Sequence, residues 1–136
     1  MITAVDSSVL LDLYGADPAY GPLSRNALGQ ATAEGGLVAC EVVWAEVTAA
    51  FPTPAAAHGA LATLGVTFSA MGDTEAAAAG QAWREYRRRG GSRSRVVADF
   101  LIGAHAVSRA DRLLTRDRGF YRSYFRRLPI LDPTAE

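Results

Sequence analysis

The chain has no lysine and a single cysteine, Cys40. The absence of lysine excludes any mechanism that needs a lysine amine as nucleophile or beside a phosphoryl group. A lone cysteine cannot form a disulfide within the chain, and we expect Cys40 to be a small buried side chain in its apolar stretch. No apolar run approaches the roughly 20 residues that cross a bilayer, and residues 1–6 do not resemble a signal peptide, so we expect a cytoplasmic protein.

The composition that remains is typical of a globular protein. Its 136 residues, 49% hydrophobic and 21% charged, predict one domain over residues 1–136. Fourteen arginines balance fourteen acids, giving a formal net charge of zero. The charges are unevenly placed, because most arginines follow residue 83 while many acids stand singly among apolar residues.

Short apolar runs alternate with segments of helical pattern along the whole chain. We predict strands at 2–5, 37–40, 66–69, 112–115 and 129–131. We predict helices at 9–14, 18–33, 42–51, 54–64, 75–89, 95–109 and 119–125. This alternation favours an α/β fold, a sandwich of helices around a mostly parallel central sheet.

Several boundaries rest on capping chemistry. Residues 6–8 supply capping side chains for the first helix, and Asp73 or Thr74 can cap the helix that follows them. Pro18 suits a first helical turn, and Leu23 and Leu28 then fall on or near one face of that helix.

Four acids occupy positions that favour a functional site. Asp6 and Asp117 follow two predicted strands, Asp117 two residues after Thr115, and the crevice of an open α/β sheet lies beyond such strand ends. Glu46 and Asp99 interrupt apolar helical stretches, where a carboxylate is costly unless it is paired or bound to a metal. Any one of these acids can instead face solvent or cap a helix. Four together favour a shared site.

Carboxylates gathered in one place repel one another, and a divalent cation is the usual compensation. Oxygen ligands suit the hard cations Mg²⁺ and Mn²⁺, which assist attack of water on phosphorus. The acids therefore predict metal-dependent hydrolysis of a phosphodiester.

Four segments in order resemble the signature blocks of PIN-domain VapC toxins, the ribonucleases of VapBC toxin–antitoxin pairs. They are residues 4–10 (AVDSSVL), 44–47 (WAEV), 98–106 (ADFLIGAHA) and 113–120 (LLTRDRGF). The resemblance spans nearly the whole chain. It implies a PIN-like α/β/α sandwich and a metal-dependent endoribonuclease acting on structured RNA such as tRNA or rRNA. It also implies a homodimer and inhibition by a cognate VapB-like antitoxin.

The resemblance assigns the catalytic acids to Asp6, Glu46, Asp99 and Asp117, with Ser7 and Thr115 as polar supports. We expect Asp6, Asp99 and Asp117 to hold the metal directly, while Glu46 completes the ligand set or orients the attacking water. Glu41 also precedes the second block, but a five-residue step turns a helix by about 140°, so Glu41 and Glu46 cannot share a face.

A basic stretch, residues 87–95, comes just before the Asp99 helix and carries five arginines. Its guanidinium groups either hold RNA phosphates or merely solvate and stabilise a helix end. Arg93 and Arg95 lie beyond the preceding helix, so they are the better candidates for substrate binding.

Two other classes of protein are alternatives. A receiver or haloacid-dehalogenase-like phosphotransfer domain also places an aspartate after its first strand, but such domains rely on a lysine that this chain lacks. A module that keeps the fold and binds RNA or antitoxin without catalysis is the second alternative. The presence of all four acids argues against it.

Overall fold

The computed structural model describes residues 1–92 and 95–135 and forms one five-stranded sheet from them. The strands are short, as expected for apolar runs bounded by turn residues. They are β1 (Ile2–Val5), β2 (Gly36–Ala39), β3 (Val66–Phe68), β4 (Arg112–Leu114) and β5 (Ile130–Leu131).

The sheet is parallel throughout, in the strand order β3-β2-β1-β4-β5. In the central pairings, Ala4 of β1 lies opposite Val38 of β2 on one side and Leu113 of β4 on the other. The chain builds outward from β1 to β2 and β3, then crosses to the other side for β4 and β5. The order therefore reverses at β1, which places a crevice beyond the ends of β1 and β4.

Helices connect every pair of consecutive strands, because parallel strands require a crossover. They are α1 (Ser7–Tyr14), α2 (Gly21–Glu34), α3 (Glu41–Thr48), α4 (Pro54–Leu64), α5 (Asp73–Arg88), α6 (Val97–Arg109) and α7 (Arg118–Tyr124). The predicted α/β/α sandwich with a parallel sheet is confirmed. Among the residues that the structure describes, no helix is both long and apolar enough to span a membrane.

The core lies between the sheet and these helices. Side chains of β1, β4 and α1 fill its centre, with Val5, Leu10 and Leu114 at 1% exposure or less. Cys40 is buried in the same core, as predicted.

The second helix begins later than its sequence suggests. Pro18 lies outside it, in a turn where the Asp17 carboxylate accepts hydrogen bonds from the backbone N–H groups of residues 19 and 20. These bonds cap a single turn in which the N–H of Gly21 donates to the Asp17 carbonyl at 2.8 Å. Pro22 has no N–H with which to continue that turn, so α2 begins at Gly21, with Pro22 in its first turn. The prediction that Leu23 and Leu28 share a face is wrong: Leu28 is 2% exposed and Leu23 is 40% exposed.

The predicted caps also differ from those observed. Gly72, not Asp73 or Thr74, is the cap of α5, and α6 begins at Val97 rather than at Arg95. At α1, Asp6 occupies the N-cap position but its side chain makes no capping hydrogen bond. Its carboxylate instead accepts the hydroxyl of Thr115, beyond the end of β4.

Candidate active site

The site is built on the carboxyl ends of the adjacent strands β1 and β4. Asp6 follows β1 directly, and its backbone N–H donates to the carbonyl of Leu114, 2.9 Å away. Thr115 follows β4, and its hydroxyl donates to Asp6 Oδ2 at 2.7 Å. The strand pairing thus fixes the Asp6 carboxylate at the point where the strand order reverses.

Asp6 is a buried carboxyl group with only 7% of its surface exposed. Burial, together with the negative charges of Asp99 and Glu46, raises its pKa from 3.8 to about 6 against the lowering effect of the Thr115 hydrogen bond. An acid crowded in this way is stabilised by any cation that enters the site.

Asp99 and Asp117 come to the same place from different elements. Asp99 lies in the first turn of α6, and Asp117 caps α7, with its backbone N–H donating to the Thr115 hydroxyl oxygen at 3.0 Å. One nitrogen of Arg95, Nη1, lies 2.6 Å from Oδ2 of Asp117 and 3.5 Å from Oδ2 of Asp99. The two carboxylates are therefore brought together around a guanidinium group.

Glu46 joins the site through Ser7. The Ser7 hydroxyl donates to Glu46 Oε1 at 3.1 Å, linking the start of α1 to α3. Glu46 is exposed, so this acid of an apolar stretch faces solvent. Glu41 points elsewhere, since both its carboxylate oxygens accept the backbone N–H of Met71 at 3.0 Å.

These groups surround an open cavity of about 350 Å³. Its lining consists of three acids, two serines and one arginine: Asp6, Asp99, Asp117, Ser7, Ser8 and Arg116. Three of the four predicted catalytic acids thus share one cavity, while Glu46 contacts it through Ser7.

The donor set suits Mg²⁺ or Mn²⁺, because its acidic groups are all carboxylates. The hydroxyl of Tyr121 is buried without a hydrogen-bond partner among the described residues, and burial together with the charges of Asp6, Asp99 and Asp117 raises its pKa. Across residues 1–92 and 95–135, no three side chains of the metal-binding types are already gathered as an ion site. Arg95 supplies positive charge to Asp99 and Asp117 instead.

Comparison with known proteins places this arrangement in a family. The model of the PIN domain matches residues 3–126. The chain belongs to the PIN domain family. PIN domains are typically nucleases and generally use divalent metal ions.

Solved structures share the fold of this PIN domain at low sequence identity. A chain of VapBC-1 from nontypeable Haemophilus influenzae matches with a TM-score of 0.74 and 18% identity, covering 99% of this chain and 100% of that one. A chain of VapBC2 from Rickettsia felis, bound to a DNA fragment from their promoter, matches with a TM-score of 0.73 and 17% identity, covering 97% and 98%. No curated protein matches the chain.

Of the two arginines predicted to bind substrate, only Arg95 lies among the described residues. Arg93 lies outside them. Arg95 is described, and it faces the acids rather than solvent, with its guanidinium carbon also 4.0 Å from the centre of the Phe120 ring. The sequence predicted that Arg95 lies near the site, but it did not predict that its side chain points towards the acids.

The sequence analysis did not predict one charged pair of this PIN domain, Arg116 with Asp12. Arg116 lines the cavity, and its guanidinium group bonds the carboxylate of Asp12 through Nε at 2.7 Å and Nη2 at 3.1 Å. Asp12 is 6% exposed and lies in the apolar stretch of α1. The signal was available, because Asp12 is an acid among apolar residues just as Asp99 is.

Proposed function

We propose that this PIN domain is a metal-dependent endoribonuclease that hydrolyses phosphodiester bonds in structured cellular RNA, such as tRNA or rRNA. The observation that carries the proposal is the convergence of Asp6, Asp99 and Asp117 on one cavity at the switch point of a parallel sheet. The nuclease character of the family agrees with it. So does the raised pKa of Asp6, because burial and, to a smaller extent, the neighbouring carboxylates make its ionised form costly without a counter-charge.

In this proposal Asp6, Asp99 and Asp117 hold the metal. When bound, Mg²⁺ or Mn²⁺ supplies Lewis acidity and positive charge to the reacting phosphate. Thr115 keeps the site assembled, since its hydroxyl donates to Asp6 and accepts the backbone N–H of Asp117. Ser7 orients Glu46, which either completes the ligand set or orients the attacking water.

Cleavage of total RNA tests this function. We expect the purified protein to cleave RNA in the presence of Mg²⁺ or Mn²⁺, and we expect excess EDTA to abolish this cleavage. We expect the Asp99→Asn variant to remain folded but to be inactive. Asp73→Asn, a change at an exposed carboxylate of α5, is the matched control and should retain activity. Cleavage that persists in excess EDTA would contradict the metal mechanism. A folded wild type that cleaves with neither metal would favour a binding module without catalysis.

We further propose that the protein is a VapC-type toxin neutralised by a VapB-like antitoxin, and that it forms a homodimer. The signature blocks in the sequence and the fold shared with chains of VapBC structures support this role. We expect the product of the adjacent upstream reading frame to co-purify with the protein and to suppress its RNA cleavage. A folded upstream product that neither binds nor inhibits would contradict the toxin assignment. Sedimentation equilibrium would test the dimer.

A further inference from the structure

Arg116 is the cationic group that lines the acidic cavity. It lies between Thr115 and Asp117 on the segment that follows β4, so the same backbone positions the arginine and two predicted site residues. Its side chain keeps 29% exposure. A positive group held here has access to whatever occupies the cavity.

Two contacts hold the guanidinium group in place. The buried Asp12 carboxylate takes its Nε and Nη2 donors, and Asp12 also accepts the hydroxyl of Ser24 at 3.0 Å. The Tyr20 ring packs against the guanidinium plane, with 4.1 Å from Cζ to the ring centre. The Asp12 hydrogen bond raises the pKa of Arg116, which therefore stays charged at every physiological pH.

This geometry leaves one edge of the guanidinium group available. A guanidinium presents two donor pairs, Nε with one Nη and the two Nη nitrogens together. Asp12 uses the first pair, whereas Nη1 has no hydrogen-bond partner among residues 1–92 and 95–135. The Nη1 and Nη2 edge matches two oxygens of a phosphate, which arginine binds in this bidentate manner.

We propose that Arg116 binds a phosphodiester of the RNA strand at the acidic cavity, with Asp12 and Tyr20 as positioning residues. The inference rests on the proposed ribonuclease function. RNA approaching three carboxylates is repelled by them, and Arg95 is already occupied by two of those carboxylates. Asp12 holds Nε and Nη2 of Arg116 and leaves Nη1 uncommitted, so the positive charge of Arg116 lowers that repulsion at the cavity it lines.

Binding of fluorescently labelled bulk tRNA, followed by anisotropy in EDTA over a series of salt concentrations, tests the inference. We expect Arg116→Gln to weaken binding by about tenfold, the usual effect of removing a charge-assisted hydrogen bond. The slope of log affinity against log salt should fall by about 0.7 to 0.9, because the variant neutralises one phosphate fewer. Arg116→Lys should keep most of the slope but not the affinity, because an ammonium cannot reproduce bidentate binding.

The matched control is Arg109→Gln. Arg109 pairs with a buried acid, Glu75, at 2.6 Å, but at the opposite end of α6 from Asp99. This variant should lose stability in urea as Arg116→Gln does and yet bind tRNA like the wild type. The double variant Asp12→Asn with Arg116→Gln removes the buried charge together with its partner, so it separates RNA binding from folding.

The outcomes distinguish the two proposals. Wild-type protein that neither binds tRNA nor cleaves RNA with Mn²⁺ overturns the ribonuclease function and this inference with it. Wild-type binding that Arg116→Gln and the double variant retain, with an unchanged salt slope, overturns the role of Arg116 alone. An Arg116→Gln variant that loses antitoxin binding but keeps tRNA binding would also overturn the RNA-binding role of Arg116, because it would assign this arginine to a protein interface.

Discussion

Asp6 shows how a single residue is altered by the site around it. As the N-cap of α1 it has the residue type that usually bonds the helix N–H groups, yet its carboxylate accepts from Thr115 and Ser8 instead. Burial and the neighbouring acids then make its ionised form costly. The start of α1 thus lacks a stabilising capping bond, and the Asp6 carboxylate lies where β1, α1 and the end of β4 meet.

The raised pKa of Asp6 predicts a stability that depends on pH. The folded protein holds the Asp6 proton up to about pH 6, whereas the unfolded chain releases it near pH 4, so the contribution of Asp6 to the stability of the metal-free protein falls as pH rises from about 4 to about 7. Asp6→Asn lacks this titration, so the difference in the free energy of unfolding between variant and wild type should shift by about 3 kcal/mol in favour of the variant between the two pH values. Urea unfolding in EDTA at both pH values measures it, with Asp73→Asn as the control. Parallel pH profiles for Asp6→Asn and wild type would contradict the prediction.

Arg95 is expected to compete with the metal. Its Nη1 contacts Oδ2 of both Asp99 and Asp117, the oxygens that we expect to bind the cation. Arg95→Gln should therefore tighten Mn²⁺ binding by roughly threefold to tenfold, as titration calorimetry would measure it. Arg88→Gln is the control, because Arg88 belongs to the same basic stretch but pairs with Glu85 on the surface. A variant at Arg95 with unchanged or weaker Mn²⁺ affinity would show that the guanidinium does not oppose the ion.

At the scale of the element, the approach of α6 to the C-terminal part of the chain depends on Gly103. This glycine follows Asp99 by about one turn, and a Cβ built on it would lie 2.3 Å from the ring of Phe125. Phe125 is itself 9% exposed and has little room to move. The absence of a side chain at residue 103 thus lets α6 lie close enough to bring Asp99 to the cavity.

Gly103→Ala should destabilise the protein by about 1 to 3 kcal/mol through this overlap. Gly80→Ala is the matched control, because Gly80 lies within α5 and a Cβ there meets nothing within 4 Å. That control should gain up to about 1 kcal/mol from the better helix propensity of alanine. Urea unfolding of the two variants measures both effects. Equal stabilities would indicate that Phe125 adapts at no cost.

The boundary of α2 shows where sequence reasoning at this scale fails. Apolar periodicity predicted the existence of each helix and strand, because burial of one face determines the spacing of apolar residues in a segment. The start of α2 depends instead on Pro22, which has no N–H to continue the turn that Asp17 caps. A missing N–H interrupts the helix locally and leaves the periodic pattern unchanged.

At the scale of the whole molecule, three acids of the cavity were predictable from the sequence, but its arginine and its internal contacts were not. Strand-end positions and acids in apolar stretches identified Asp6, Asp99 and Asp117, since both signals are local. The pairing of Arg116 with Asp12 joins residues 104 positions apart. Arg116 and Asp12 meet because β1 and β4 are neighbours in the sheet. No local sequence pattern predicts that strand order.

Metal binding should act on the same scale, because its proposed ligands come from the end of β1, from α6 and from the segment after β4. An ion that binds only the folded chain stabilises all of it, by about 2.7 kcal/mol at one hundred times its dissociation constant. We expect Mn²⁺ to raise the midpoint of thermal unfolding of the wild type, and EDTA to reverse the rise. Asp99→Asn should show little of this effect even where its metal-free stability equals or exceeds that of the wild type. An equal Mn²⁺ response in both proteins would place the ion away from the acidic cavity, because only a site that includes Asp99 can lose its coupling to folding when that carboxylate is removed.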